Sequence, residues 1–152
     1  MSFGPEGRGY DQNPWACCRC GRLRVMAETN DVPDFEALST LPPDQLVLMV
    51  NLLKFRSEGG RESYRRYGEA VGPHLARVGA QVRYGGATPA VILGEGARPW
   101  WDAILVVEYP SPAAFVEMVT DPDYLQVHRH RVAALDRGDL IATTVWSPAT
   151  GG

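Results

Sequence analysis

The sequence has few cysteines and no long hydrophobic run. All 3 of its cysteines lie in the segment CCRC, as Cys17, Cys18 and Cys20. Cysteines so close together cannot cross-link distant parts of a fold, and they lack the spacing of a zinc site, so we expect neither a disulfide framework nor a metal. No apolar stretch approaches the roughly 20 residues that span a bilayer. The polar start MSFGPEGRGYDQNPW lacks the pattern of a secretory signal, and we expect a cytoplasmic protein.

The chain also lacks an excess of charge of one sign. Its 15 basic and 18 acidic residues give a formal net charge of −3 and are spread along the sequence. Such a distribution produces no field that would gather nucleic acid or an anionic membrane surface. We therefore expect neither nucleic acid nor a membrane among the partners.

Composition divides the 152 residues into four parts. Residues 1–25 hold all the cysteines and no hydrophobic periodicity, which predicts a disordered tail. Met26 would serve as a chain start, so one hypothesis is that this tail lies outside the native chain. Residues 26–44 predict a short helical attachment segment, residues 45–147 form one domain, and residues 148–152 form a C-terminal tail.

Hydrophobic periodicity in the domain predicts a strand, a helix, two strands, a further helix in two pieces, and a last strand. The first helix has apolar residues at steps of three and four over 61–79, and we expect Gly72-Pro73 to bend or split it. The second helix starts twice, at Ser111-Pro112 and at Asp121-Pro122, and stops near Gly138. The predicted strands are 45–55, QVRYGG with TPAVILGEG as one broken strand or two short ones, 100–110 and 140–146. This order predicts an α+β, ferredoxin-like βαββαβ antiparallel sheet with both helices on one face.

Several strands are apolar on both alternations. In the first strand Val47 and Met49 alternate with Leu48 and Val50, although an antiparallel sheet with one wet face would place polar residues at every second position. Soluble monomers rarely expose such a patch. We therefore predict that a second copy covers the other face of the sheet, which gives a homodimeric α/β barrel.

Polar residues that interrupt these apolar strands are candidates for lining a cavity. Asn51 and Lys54 lie on opposite faces of the first strand, so only one of them can point inward. Asp102 shares a face with Ile104 and is either a cavity carboxylate or a strand-edge partner of Arg83; the sequence does not separate these alternatives.

Four segments, VNLLKF, YRRYGEAV, WDAILVVEYPS and VTDPDYLQVHRHR, together resemble a family known as domain of unknown function 1330, in the dimeric α/β-barrel superfamily. The resemblance covers about residues 45–147. It implies a ferredoxin-like protomer and a homodimer with a cavity between sheet and helices. Related branches include cofactor-independent monooxygenases, lactone isomerases and haem-handling enzymes. Because the family has no agreed reaction, the resemblance implies no catalytic residue.

The segment HRHR, His128 to Arg131, contains two of the 3 histidines and is the main candidate for acid–base chemistry. On a helix, the side chains of His128 and His130 point to opposite sides and cannot bind the same metal ion, which argues against a metal site. A single histidine could still be the axial ligand of a haem. We nevertheless expect no cofactor. His128 shares a helix face with Tyr124 and Arg131. In one interpretation His128 only borders a cavity or bonds a neighbouring carbonyl.

The other interpretation is catalytic. His128 would take a proton from an activated C–H or a phenol, while Asn51 or Arg131 holds the oxyanion. The substrate would be contacted by Tyr124, Trp101, Asp102 and Tyr67, although packing is the favoured role of the tryptophan. We expect a homodimer that binds a small, partly planar organic molecule, as a proton-transfer isomerase or a cofactor-independent monooxygenase. The alternative is a non-catalytic dimeric binding module.

Overall fold

The computed structural model describes residues 32–94 and 101–146, which contain a four-stranded antiparallel sheet and four helices. The predicted α+β class is confirmed. The predicted tails at 1–25 and 148–152 lie outside the described residues. In chain order the elements are α1 (Phe35–Ser39), β1 (Val47–Phe55), α2 (Gly60–Arg77), β2 (Gln81–Ala87), β3 (Ala103–Tyr109), α3 (Pro112–Val119), α4 (Pro122–Ala134) and β4 (Leu135–Thr143).

The strands lie in the order β2-β3-β1-β4, and each pairs antiparallel with its neighbours. β3 therefore lies between the two strands that α2 connects, as a split βαβ unit requires. The two central strands, β1 and β3, carry the most apolar sequence. No helix in 32–94 or 101–146 is long and apolar enough to cross a membrane.

Two helices begin at the predicted caps. The Ser111 side chain accepts a hydrogen bond from the backbone N–H of Ala114, and Asp121 accepts from the N–H groups of Asp123 and Tyr124. Asp121 also pairs with Arg77 at the end of α2. The start of α4 is thereby tied to the C-terminal end of α2.

Of the two outcomes predicted at Gly72-Pro73, the split is wrong, because α2 is helical through Pro73, and the bend stays a prediction. Two other local predictions were wrong. No strand forms in residues 88–94, so β2 ends at Ala87. α4 ends at Ala134 rather than near Gly138, because β1 pairs with β4 as far as Phe55 and Leu135 and so extends the sheet into LDRGD.

The core lies between the helices and one face of the sheet. β1 and β3 contribute buried side chains such as Met49 and Tyr109, and the helices contribute Val71, Met118 and Tyr124. Gly60 allows α2 to start close to the junction of α4 and β4, because a Cβ at Gly60 would lie 2.6 Å from the carbonyl oxygen of Ala134. We call this side the helix-covered face.

The opposite face, here called the open sheet face, carries apolar side chains that none of the helices α1 to α4 covers. Residues along β1 alternate between buried and half-buried, and the half-buried set belongs to the open face. Register places Val50 beside Val106 on one side and beside Ile141 on the other, and Ile141 is 47% exposed. Ion pairs flank this apolar strip: Arg83 with Glu108, Lys54 with Asp102, and Arg137 with Asp139.

Candidate functional site

A chain of polar groups crosses the contact between α2 and α4. The hydroxyl oxygens of Tyr67 and Tyr124 lie 3.2 Å apart, and the Tyr124 hydroxyl lies 3.2 Å from Nδ1 of His128. Both tyrosines are buried, whereas His128 is half-buried. We call these three residues the tyrosine–histidine chain. It connects a phenol in the core to an imidazole that solvent can reach.

Helix geometry and helix pairing together build this chain. Tyr124 and His128 are four residues apart on α4 and therefore share a face. Tyr67 reaches them because α2 and α4 run antiparallel: Ser63 donates to the carbonyl of His130 near one end, and Arg77 pairs with Asp121 near the other. The sequence predicted the spacing within α4, whereas the register between the two helices is a tertiary property.

Two further tyrosines, Tyr64 and Tyr109, lie near Tyr67 of the tyrosine–histidine chain. Burial, reinforced by the nearby Tyr67 phenol, raises the pKa of both Tyr64 and Tyr109 well above that of an exposed tyrosine, and the positive charge of Arg131 opposes the rise. Both phenols are therefore protonated at neutral pH. Tyr109 was not singled out from the sequence, although strand alternation places it on the same face as the buried Val107.

Arg131 extends from α4 towards β4. A Cβ built on Gly138 would lie 3.0 Å from a terminal guanidinium nitrogen of Arg131, so the absent side chain of Gly138 leaves room for that group. Gly138 pairs with Leu53, which lies on the helix-covered face. The positive charge of Arg131 acts on the buried Tyr64 and Tyr109, and residue 131 lies about one turn along α4 from His128.

Asn51 lies on the helix-covered face and is 8% exposed. Its Nδ2 lies 3.4 Å from the carbonyl oxygen of Met49 and 3.3 Å from that of Leu105. A side-chain amide has two donor hydrogens, and both are directed at backbone carbonyls. Asn51 therefore retains acceptor capacity at Oδ1 but no spare donor for an oxyanion. Of the two predicted interruptions of β1, it is Asn51 that points under the helices.

Trp101 and Asp102 lie apart from the tyrosine–histidine chain. Asp102 accepts from Lys54 Nζ at 3.2 Å and from the N–H of Phe55 at 2.9 Å. Burial acts to raise the pKa of Asp102, but these two donors prevail and leave it below its ordinary value. Arg83, the partner suggested by the sequence, bonds Glu108 instead. The ring of Trp101 packs against the guanidinium of Arg137 at 5.5 Å.

A cleft of about 510 Å³ lies where β1 leads into α2. Its walls include three basic side chains, Lys54, Arg56 and Arg61, beside the ring of Phe55. We call it the β1–α2 cleft. No site was predicted in the segment RSEGGRES, although arginines on both sides of two glycines are a signal that could have indicated one.

The described residues contain no group of three or more histidine, cysteine, aspartate or glutamate side chains arranged to hold a metal ion. The polar groups of the tyrosine–histidine chain are instead donors and acceptors of protons. An imidazole, two phenols and a nearby guanidinium can move a proton and stabilise a negative charge.

Comparison with known proteins gives a family and a fold. The model of the family described as "Domain of unknown function (DUF1330)" matches residues 55–145. No curated protein matches the chain. RPA0582, a protein of unknown function from Rhodopseudomonas palustris, has a similar crystal structure, with 30% identity and a TM-score of 0.67 over 78% of this chain and 98% of that one.

Two other structures agree with this fold. The methylated form of RPA0582 matches with 31% identity and a TM-score of 0.68, over 80% of this chain and 97% of that one. A hydroxynitrile lyase from Passiflora edulis matches with 13% identity and a TM-score of 0.51, over 68% of this chain and 95% of that one. At such low identity the second likeness concerns the fold alone.

Proposed function

Since the chain belongs to the DUF1330 family, whose description gives no function, we propose a function from the site itself: a homodimer that binds a small organic molecule beside His128 and moves a proton on it. The observation that carries this proposal is the tyrosine–histidine chain. It places a reachable imidazole at the end of two hydrogen-bonded phenols.

In the proposed reaction His128 is the general base. It takes a proton from a carbon next to a carbonyl group, or from a phenol, and the negative charge moves to the substrate oxygen. Arg131 neutralises that oxygen, a role for which Asn51 has no donor left. Tyr124 and Tyr67 position the imidazole and stabilise its protonated form through their oxygens. Positioned acid–base catalysis of this kind contributes about 10²–10⁴-fold to a rate.

The proposed substrate is small, partly planar and weakly acidic at carbon or oxygen. Tyrosine rings around His128 and Arg131 favour a flat molecule with one oxygen that becomes anionic. An isomerase returns the proton to a different atom of the substrate, whereas a cofactor-independent monooxygenase lets the carbanion react with dioxygen. Both reactions begin with the same proton abstraction. We favour the isomerase because the tyrosine–histidine chain can hold the proton and return it. The Passiflora edulis enzyme shares only the fold, so its reaction is not assigned here.

The open sheet face supports the proposed homodimer. This face has an apolar strip of a kind that soluble monomers seldom expose to water. The strip consists of Leu48, Val50, Leu52, Ile104, Val106 and Ile141. A second copy matches it well, because two sheets that face each other bury both strips at once and a two-fold axis makes the surface self-complementary. The flanking ion pairs then lie at the rim, where charge stays solvated.

One observation favours the non-catalytic alternative. Tyr67 and Tyr124 belong to the main cluster of buried residues, packed with Met49 and Val71. An interior filled in this way would hold the tyrosine–histidine chain as a structural hydrogen-bond network. A dimeric binding module without turnover would have the same fold and the same open sheet face.

Native mass spectrometry of the purified full-length protein tests the proposed binding. We expect the wild-type dimer to retain a small molecule, and His128→Ala to lose it while remaining dimeric. His130→Ala is the matched control, because residue 130 points to the other side of α4. A wild-type dimer without any retained molecule, or equal retention by both variants, would contradict binding beside His128.

A further inference from the structure

We propose that the β1–α2 cleft is a second ligand site, which binds the oxyanion group of a small molecule, a phosphate or a carboxylate. The cleft lies at the end of β1, and its lining residues are distinct from the tyrosine–histidine chain: Lys54, Phe55, Arg56, Ser57, Gly59, Gly60, Arg61, Glu62 and Asp102. The proposal is independent of the reaction assigned to His128.

The acidic side chains of the cleft are already engaged. Both carboxylate oxygens of Glu62 accept from Arg65, and one of them also accepts from Arg66, one turn along α2. Asp102 accepts from Lys54 and from the N–H of Phe55. Asp102 is balanced first by Phe55 and Lys54, and the positive charge of Arg61 adds a smaller contribution. The cleft keeps an excess of positive charge, because its lining has three basic and two acidic side chains.

Arg56 and Arg61 are fixed by contacts that do not neutralise them. Arg56 donates through Nε to the carbonyl of Leu135 at 3.0 Å, and the guanidinium carbon of Arg61 lies 5.0 Å from the centre of the Phe55 ring. Within residues 32–94 and 101–146 neither arginine has a carboxylate within ion-pair distance. Each guanidinium keeps donors that can be directed into the cleft.

Guanidinium groups recognise phosphates and carboxylates because their paired N–H groups match two oxygens at once. The contact with Phe55 orients Arg61, so less side-chain entropy is lost when an anion binds. Ser57 adds a hydroxyl donor to the lining, and the two glycines add no side-chain bulk. At about 510 Å³ the cleft is larger than an oxyanion, so it also has room for the organic part of the ligand.

The test is a titration of the ¹⁵N-labelled full chain with inorganic phosphate, and separately with acetate, at constant ionic strength. Backbone amide shifts report the site. We expect saturable shifts confined to residues 54–62 and 102, and an affinity that falls at least about 10-fold in Arg61→Gln. Arg61→Lys should bind more tightly than Arg61→Gln but more weakly than the wild type, because lysine restores the positive charge but not the paired N–H groups of a guanidinium.

Arg129→Gln is the matched control, since it removes the same charge from an exposed arginine of α4. It should bind as the wild type does. The comparison of phosphate with acetate shows which oxyanion the cleft prefers. Absence of saturable shifts with both anions, or equal weakening in Arg129→Gln and Arg61→Gln, would overturn the proposal. Dispersed spectra establish that each variant is folded.

Discussion

The Tyr124 hydroxyl lies 3.2 Å from Nδ1 of His128 and 3.2 Å from the hydroxyl of Tyr67. Each hydroxyl has one hydrogen to donate. The role of His128 as a general base selects one arrangement of these hydrogens: Nδ1–H of the neutral imidazole donates to the Tyr124 oxygen, and the Tyr124 hydroxyl donates to Tyr67. The lone pair that takes a proton is then on Nε2.

This arrangement predicts the effect of Tyr124→Phe. Loss of the hydroxyl removes the acceptor of Nδ1–H, so the populations of the two neutral His128 tautomers should become more even. Side-chain ¹⁵N spectra of histidine measure this directly. Tyr109→Phe is the matched control, because it also removes a buried hydroxyl but leaves the tyrosine–histidine chain intact. An unchanged His128 spectrum in Tyr124→Phe would show that the hydrogen bond does not fix the tautomer.

Gly60→Ala should destabilise the fold. The new Cβ would lie 2.6 Å from the carbonyl oxygen of Ala134 and 3.3 Å from the Cβ atoms of Phe55 and Arg56. Overpacking against backbone costs about 1–3 kcal/mol. Gly68→Ala in the same helix meets no atom within 4 Å, so it should stabilise the fold by about 0.5–1 kcal/mol. Urea unfolding measures both changes, and a stabilised Gly60→Ala would contradict the close approach.

Ile141→Glu should weaken the homodimer. The side chain lies near the C-terminal end of β4, beside Val50 on the open sheet face, and a two-fold axis would bury the new charge twice in each dimer. We expect a dissociation constant at least about 100-fold higher, measured by analytical ultracentrifugation. Val132→Glu on α4 alters a residue that is 44% exposed, close to the 47% of Ile141, and should sediment as the wild type does. Equal behaviour of the two variants would contradict an interface on this face.

Asp121 should contribute stability that depends on pH. The hydrogen bond from Arg77 holds the pKa of Asp121 below its ordinary value, with help from the N–H groups of Asp123 and Tyr124. A folded-state pKa below the unfolded value of about 3.9 means that the stability is fully present above that pH and is lost as the pH falls through the folded pKa.

Asp121→Asn keeps a capping oxygen but removes this titration. The free energy of unfolding of the variant should therefore be lower than that of the wild type at pH 7. The difference between the two free energies should be smaller at about pH 3. Asp123→Asn, at an exposed position in the first turn of α4, is the control and should show a smaller difference at pH 7. If the difference in unfolding free energy between the wild type and Asp121→Asn stays constant from pH 7 to pH 3, the assigned ion pair is contradicted.

Local signals made much of the fold predictable. Ser111-Pro112 and Asp121-Pro122 mark helix starts through their own side chains and rings, and the apolar runs around Val50 and Val106 mark the central strands. The start of β4 was not predictable in this way, since LDRGD has little strand propensity and becomes a strand only because β1 offers it a partner.

The candidate site was only partly predictable for a similar reason. Tyr124 and His128 share a face through helix spacing alone, whereas the approach of Tyr67 depends on how α2 packs on α4. The partner of Asp102 depends on strand register: an irregularity in β2 between Val82 and Tyr84 accompanies the pairing of Arg83 with Glu108. The catalytic roles of His128 and Arg131 stay predictions, whereas the amide donors of Asn51 are directed at backbone carbonyls.

Proton transfer by His128 is tested most directly by deuterium exchange. The full-length protein is incubated in D₂O with small enolisable carbonyl compounds and phenols, and mass spectrometry follows deuterium uptake at carbon. We expect the wild type and His130→Ala to accelerate uptake into one chemical class by at least about 100-fold over buffer, and His128→Ala to return it close to the buffer rate. Uptake that is equally fast in His128→Ala, or no acceleration by the wild type with any compound, would contradict the proposed function.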